Sequence, residues 1–133
     1  MIQLFVFIAE RILVMSDKIV LVKFINEDSE QKRVRLRQKV YAFKMNNKMK
    51  PSKFAYVIVP NNKNGYSLAM ISGIVAKKDM AKYQPTARIT KKIKVTSSLR
   101  TAKNGYSGWK KLNQVPDYLK AKNIFYKIVN RLR

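Results

Sequence analysis

The chain has 133 residues and carries 29 Lys and Arg against 7 Asp and Glu, a formal net charge of +22. This length suits one compact domain with a hydrophobic core of its own. Cysteine and histidine are both absent, which excludes disulfides, thiolate nucleophiles and most metal-site or acid–base chemistry at neutral pH. The chain has no Gly-Lys-Ser/Thr phosphate loop and no cluster of acidic residues beyond residue 30. We therefore expect neither an enzyme nor a bound cofactor or metal.

The positive charge is distributed unevenly along the chain. Five of the seven acidic residues lie among the first thirty, so only Asp79 and Asp117 oppose twenty-six basic residues from position 31 onward. A strongly basic folded domain is typical of proteins that bind nucleic acid, with DNA and RNA equally open. Three alternatives remain, because net charge does not separate them: a solvated surface that is merely basic, an anionic membrane, and an acidic protein partner.

The first fourteen residues form two apolar runs separated by Glu10 and Arg11. They lack the positive start and the cleavage site of a signal peptide, and they are too short and interrupted to span a bilayer. Two interpretations stay open: an upstream extension of the reading frame ahead of Met15, or a short helix packed on the domain. We expect residues 15–133 to form a single basic β-rich domain in the cytoplasm, without a membrane span.

Two strands are predicted in the N-terminal part of this domain. Residues 19–25 are apolar and β-branched, and the polar residues 26–29 indicate a turn after them. Residues 32–45 alternate in character, and alternate side chains of a strand lie on opposite faces. We expect Val34, Leu36, Val40 and Ala42 to face inward. The outward face would then carry Arg33, Arg35, Arg37, Lys39, Tyr41 and Phe43.

This outward row combines four cations with two aromatic rings, as a surface that follows phosphates and stacks bases requires. The alternative is an ordinary solvated strand face whose aromatic residues cover the core at one end. Further basic residues and the single tryptophan are candidates for the same nucleic-acid-binding surface: Lys91, Lys92, Lys94, Lys103, Trp109, Lys110 and Lys111.

A hairpin over residues 54–75 is the strongest local signal in the chain, after a polar loop at residues 46–53. Two apolar, β-branched runs flank a polar segment that ends in Asn64-Gly65. This dipeptide accepts the positive φ angles that a tight turn requires. Pro60 fits the end of the first strand, because it has no N–H to donate to a ladder. We expect this hairpin to form the core of a small β-domain.

Shorter elements are predicted in the rest of the chain. Residues 77–82 indicate one or two helical turns. Residues 88–96 indicate a strand, whose parity requires either a bulge or a start near Lys91. Residues 107–112 suit either a strand or an ordered loop.

The C-terminal tail allows two interpretations. Pro116 favours the first turn of a short helix that runs through Lys120. For residues 124–129, an amphipathic helix competes with a closing strand. We favour the strand there, because Phe, Tyr, Ile and Val crowd the segment.

Several segments follow one another in a recognisable order: Tyr41-Ala-Phe43, a loop with Pro51, Tyr56-Val-Ile-Val-Pro60, an Asn-Gly turn, and Ile71-Ser-Gly-Ile-Val75. This order, over about residues 40–75, resembles the N-terminal DNA-binding domain of the primosomal replication-restart helicase family. The resemblance implies a small open β-barrel that binds DNA ends at forks. The Gly-Asp pair that the family has before its second strand is Lys53-Phe54 here, and no helicase motifs follow. The resemblance therefore implies binding alone.

Together these patterns predict a mostly β fold, a small SH3-like or OB-like open barrel of five to seven strands with one or two short helices. The expected function is non-catalytic binding of nucleic acid through a basic, aromatic-containing β surface that contacts the phosphate backbone. The alternative is a small phage-type interaction protein that docks on an acidic host or structural protein. The oligomeric state stays open.

Overall fold

A computed structural model describes residues 17–85, 87–96 and 108–132 of the chain. Within these ranges seven strands form one sheet, and their bounds are β1 Lys18–Asp28, β2 Arg33–Met45, β3 Ala55–Pro60, β4 Tyr66–Ile74, β5 Ala87–Arg88, β6 Lys91–Thr96 and β7 Lys110–Lys111. Two 3₁₀ turns lie at Lys77–Lys82 and Leu112–Gln114, and one α-helix, α1, runs over Pro116–Leu132. The expected extension at residues 1–14 lies outside the described residues.

The sheet has the strand order β5-β2-β1-β4-β3-β6, and β7 pairs with β2 beside this path. The short segment that holds β5 and β6 reaches both ends of this order. Its Ile89 N–H donates to the Lys44 carbonyl oxygen on β2 at 2.8 Å, and its Thr90 N–H donates to the Ile58 carbonyl oxygen on β3, also at 2.8 Å. The sheet is therefore curled into a half-barrel, which confirms the predicted mostly β class.

The two faces of the β3–β4 hairpin pack into two separate cores. On one face Tyr56, Ile58 and Met70 pack with α1. On the other face Val57 and Ile71 pack with the second half of β2 and with the loop before β6. Burial on both faces explains why these strands read as nearly continuous apolar runs.

Strand β2 buries opposite faces in its two halves, and a bulge against β1 separates these halves. Lys23 pairs with Val40 but Ile25 pairs with Leu36, so three residues of β2 lie opposite one residue of β1. The two extra residues on β2 preserve its alternation relative to β1, so the reversal of the buried parity has another cause. The first half of β2 packs into the core that contacts α1, and the second half packs its opposite face into the other core. The expected outward position of Phe43 is therefore wrong: Phe43 is 1% exposed, whereas Val40, expected to face inward, is 41% exposed.

The predicted hairpin is confirmed, with β3 and β4 joined by a loop over residues 61–65. Asn64 adopts the positive φ that its position requires, 58°. Asn61 organises the loop: its side-chain oxygen accepts from the N–H groups of Lys63 and Gly65, each at 3.0 Å, and its amide donates to Ser67 at 2.9 Å. An Asn that bonds its own following backbone in this way is a recurrent turn device.

Shorter predictions are also settled by the structure. The helical turns at Lys77–Lys82, the strand that begins at Lys91 and the helix start at Pro116 are confirmed. The closing strand expected at residues 124–129 is wrong, because α1 continues through them. No helix within the described ranges has both the length and the apolar character that a membrane span requires.

Candidate nucleic-acid interface

Trp109 brings two of the predicted arginines together. Strand β7 pairs with the start of β2, with Lys111 opposite Arg33, and this places Trp109 over the neighbouring side chains. The guanidinium carbons of Arg33 and Arg35 lie 4.5 and 4.7 Å from the centre of the indole ring. Contact between a guanidinium and an indole face is favourable through the quadrupole of the ring. Both cations thus lie against the same indole ring.

The hydrogen bonding of these two arginines differs. Arg33 Nε lies 3.4 Å from Asp28 Oδ2, so part of its charge is opposed. Arg35 Nε is shielded from solvent and has no hydrogen-bond partner among the described residues. A buried donor without a partner costs free energy.

The rest of the predicted row lies at and beyond the bulge. Arg37 and Lys39 are exposed, and Lys39 Nζ lies 5.0 Å from the centre of the half-buried Tyr41 ring. Tyr41 also packs edge-on against Phe24, with ring centres 5.2 Å apart. Phe43 belongs to the core and offers no surface to a ligand. The row is therefore basic along its length but has one accessible aromatic residue, not two.

The other predicted lysines fall into separate groups. Lys110 and Lys111 pair with β2 and lie next to the arginines. Lys91, Lys92 and Lys94 lie on β6, from which β2 is separated by three strands in the sheet order. Lys103 lies outside the described residues. We call the joined set the basic edge: Arg33, Arg35, Arg37, Lys39, Trp109, Lys110 and Lys111.

A groove that the sequence patterns did not predict lies next to the basic edge. It has a volume of about 760 Å³ and lies between β1, β2, the hairpin loop and α1. We call it the aromatic groove, after the exposed or half-buried rings that line it: Phe24, Tyr41, Tyr66, Phe125 and Tyr126. The buried Tyr118 also borders it. The helical spacing of Tyr118, Lys122, Phe125 and Tyr126 would have indicated its helix wall, but assigning a strand to residues 124–129 hid this pattern.

On the wall of the groove, a basic and an acidic side chain form an ion pair, and their charges neutralise each other. Lys122 Nζ lies 2.8 Å from both carboxylate oxygens of Glu27, and the Tyr118 hydroxyl donates to the same carboxylate. Burial tends to raise the pKa of Glu27, but the hydrogen bonds from Lys122 and Tyr118 outweigh it and hold that pKa below its ordinary value. Burial and the negative neighbour raise the pKa of Tyr118 well above that of a free phenol.

Two other cations of the groove are not compensated in this way. Arg37 and Lys63 line it and are exposed, and no carboxylate of the described residues lies within 4 Å of either charge. Arg37 also borders a second cavity of about 480 Å³ at the bulge, which Arg35, Asn26 and Gln38 share. Arg37 therefore connects the basic edge with the aromatic groove.

The acidic residues do not suggest metal chemistry in the part of the chain that the structure describes, where no three carboxylates come close enough to hold a metal ion.

Comparison with known proteins found no matching family model, no similar curated protein and no similar solved structure. The resemblance to the replication-restart helicase domain therefore stays a prediction from the sequence.

Proposed function

We propose that this protein is a non-catalytic nucleic-acid-binding protein of the cytoplasm that contacts the phosphate backbone through the basic edge. The observation that carries the proposal is the stacking of two guanidinium groups on Trp109, beside the paired strand that carries Lys110 and Lys111. A stacked guanidinium keeps its N–H groups at its rim, where phosphate oxygens accept from them.

The charge balance supports the same conclusion. The net charge of +22 gives long-range attraction to any polyanion, and of the four ion pairs seen among the described residues one involves this edge, that of Arg33 with Asp28. Contacts with phosphates position a nucleic acid without reading its bases, so we expect little sequence preference.

A salt titration of binding to single- and double-stranded DNA and RNA tests the proposal. The double variant Arg35→Gln/Lys111→Gln removes two charges from the basic edge. Lys77→Gln/Lys78→Gln is the matched control, because it removes two exposed charges from a 3₁₀ turn that belongs neither to the edge nor to either cavity. Each lost phosphate contact should lower the slope of log affinity against log salt by about 0.9 on duplex DNA.

We expect the edge variant to lose affinity and slope in all four nucleic acids, and the control to keep its slope. Equal losses in both variants would mean that charge acts diffusely and that the basic edge is not the site. Affinity that barely changes with salt, or no binding at all, would contradict the nucleic-acid function and would favour the alternative of an acidic protein partner.

A further inference from the structure

We infer that the aromatic groove binds unstacked bases of a single-stranded segment whose phosphates follow the basic edge. This inference rests on the proposed function and adds its substrate class, a single strand in preference to a duplex. Its basis is the juxtaposition of a ring-lined cavity with an uncompensated cationic rim, joined to the basic edge through Arg37.

The size and lining of the groove suit a flat aromatic guest. Its volume of about 760 Å³ lies within the range of roughly 300–1,000 Å³ that encloses small-molecule-sized groups. Tyr126 is 52% exposed on the helix side, and Tyr66 and Tyr41 contribute rings from the sheet side. Stacking on such rings tolerates any sequence, because every base has a π-face.

The charges of the groove favour bases at one position and phosphates at another. On the wall, Lys122 is neutralised by Glu27, so that position favours an uncharged group over a phosphate. On the rim, Arg37 and Lys63 face no carboxylate of the described residues and suit phosphates. A duplex cannot use this arrangement, because its base faces are hidden in the stack.

The hairpin loop makes one side of the groove rigid. The Asn61 side chain makes its hydrogen bonds within the loop and at its end. These bonds hold the following residues, Asn62 and Lys63, at the groove. A rim that is ordered before binding loses less conformational entropy when the strand arrives.

The test compares an oligothymidine of about twelve nucleotides, which has no pairing partner, with a duplex of the same length. Tyr126→Ala removes an exposed ring from the groove. Tyr83→Ala is the matched control, a tyrosine that is 38% exposed and lies outside the groove. We expect Tyr126→Ala to lose at least about fivefold in affinity for oligothymidine and to keep duplex affinity within about twofold, whereas Tyr83→Ala changes neither. Melting temperatures of both variants verify that the fold is intact.

Crosslinking gives a second, independent readout. Oligothymidine carrying 5-iodouracil, irradiated on the unaltered protein, should crosslink to the tyrosines of the groove, identified by peptide mass spectrometry. Crosslinks confined to Trp109 would overturn the inference, because the bases would then stack on the basic edge. Loss of affinity that is equal for both nucleic acids in Tyr126→Ala, or no loss at all, would overturn it as well. In each of these cases salt-dependent binding would persist and the proposed function would stand. If the protein binds neither the oligothymidine nor the duplex, both this inference and the proposed function are contradicted.

Discussion

Trp109 is the residue whose role is least evident from the sequence. In the chain it is a lone aromatic residue between a glycine and two lysines. In the fold, its ring lies against two guanidinium groups that would otherwise repel each other across one strand face. The ring contributes no charge, yet it determines where two of the charges lie.

Replacing this ring should weaken binding without altering the net charge. We expect Trp109→Ala to lower nucleic-acid affinity and to lower the free energy of unfolding by about 1–2 kcal/mol, because each cation–π contact contributes roughly 0.5–1 kcal/mol at an exposed site. Trp109→Phe keeps a ring face and should fall between this variant and the wild type. Urea unfolding and fluorescence anisotropy measure the two effects. Unchanged affinity in Trp109→Ala would show that the arginines need no support from the ring.

The Glu27 carboxylate makes stability depend on pH. Because its pKa is depressed in the folded state, its contribution is present above its unfolded pKa, about 4.5, and is lost as the pH falls through the folded value. The Tyr118 hydroxyl acts in the opposite direction: its raised pKa gives a contribution that is present below about pH 10 and lost as the pH rises above it.

We therefore expect Glu27→Gln to be less stable than the wild type by about 1–3 kcal/mol at neutral pH, because it leaves Lys122 without its charged partner. The difference should shrink as the pH falls below about 4.5. Denaturant unfolding across the pH range measures it. Glu30→Gln, which alters an exposed residue of the adjoining turn, is the control and should cost little. A difference that stays constant down to pH 2 would contradict the assigned role of Glu27.

At the scale of elements, α1 shows how packing overrules local propensity. Residues 124–129 are rich in β-formers, but the buried positions Tyr118, Ala121 and Val129 share one helical face against the sheet. Half-buried Ile124, Phe125 and Ile128 extend this contact. Propensity differences amount to tenths of a kcal/mol per residue, whereas each buried side chain contributes about 1.5–3 kcal/mol, so burial decides.

Ala121 of α1 is fully buried in the core between the helix and the sheet. We expect Ala121→Leu to lower the free energy of unfolding by about 1–3 kcal/mol, because the added carbons must be forced between packed elements. Asn123→Leu introduces the same side chain at an exposed position of the same helix and should change stability by less than about 0.5 kcal/mol. Thermal or urea unfolding of the pair checks this. Equal stability of the two variants would show that α1 does not pack tightly here.

At the scale of the whole molecule, the charge of +22 works against the compact state. Only four ion pairs oppose it among the described residues, and most of the cations face solvent. Such repulsion is long-ranged in dilute buffer and is screened by salt.

We expect the melting temperature to rise between about 20 mM and about 300 mM NaCl, as the Debye length falls from roughly 20 Å to roughly 6 Å. The variant Lys77→Gln/Lys78→Gln provides the comparison: it should melt higher than the wild type in low salt and respond less to added salt. A melting temperature that stays level or falls over this range would show that repulsion does not limit stability.

The sequence by itself determined the strands β1 to β4, the hairpin loop, the early half of the arginine row and the basic character of the surface. These features follow from alternation, turn chemistry and composition, which depend on a residue and its near neighbours. Only the tertiary structure decided the burial of Phe43, the helix at residues 124–129, the stacking on Trp109 and the aromatic groove. Each of these depends on a contact between distant segments: a second core on the opposite face of the sheet, a helix held by the sheet, a ring that lies just before β7. No local pattern encodes which distant segment will arrive, because that choice is made by the burial of the whole core.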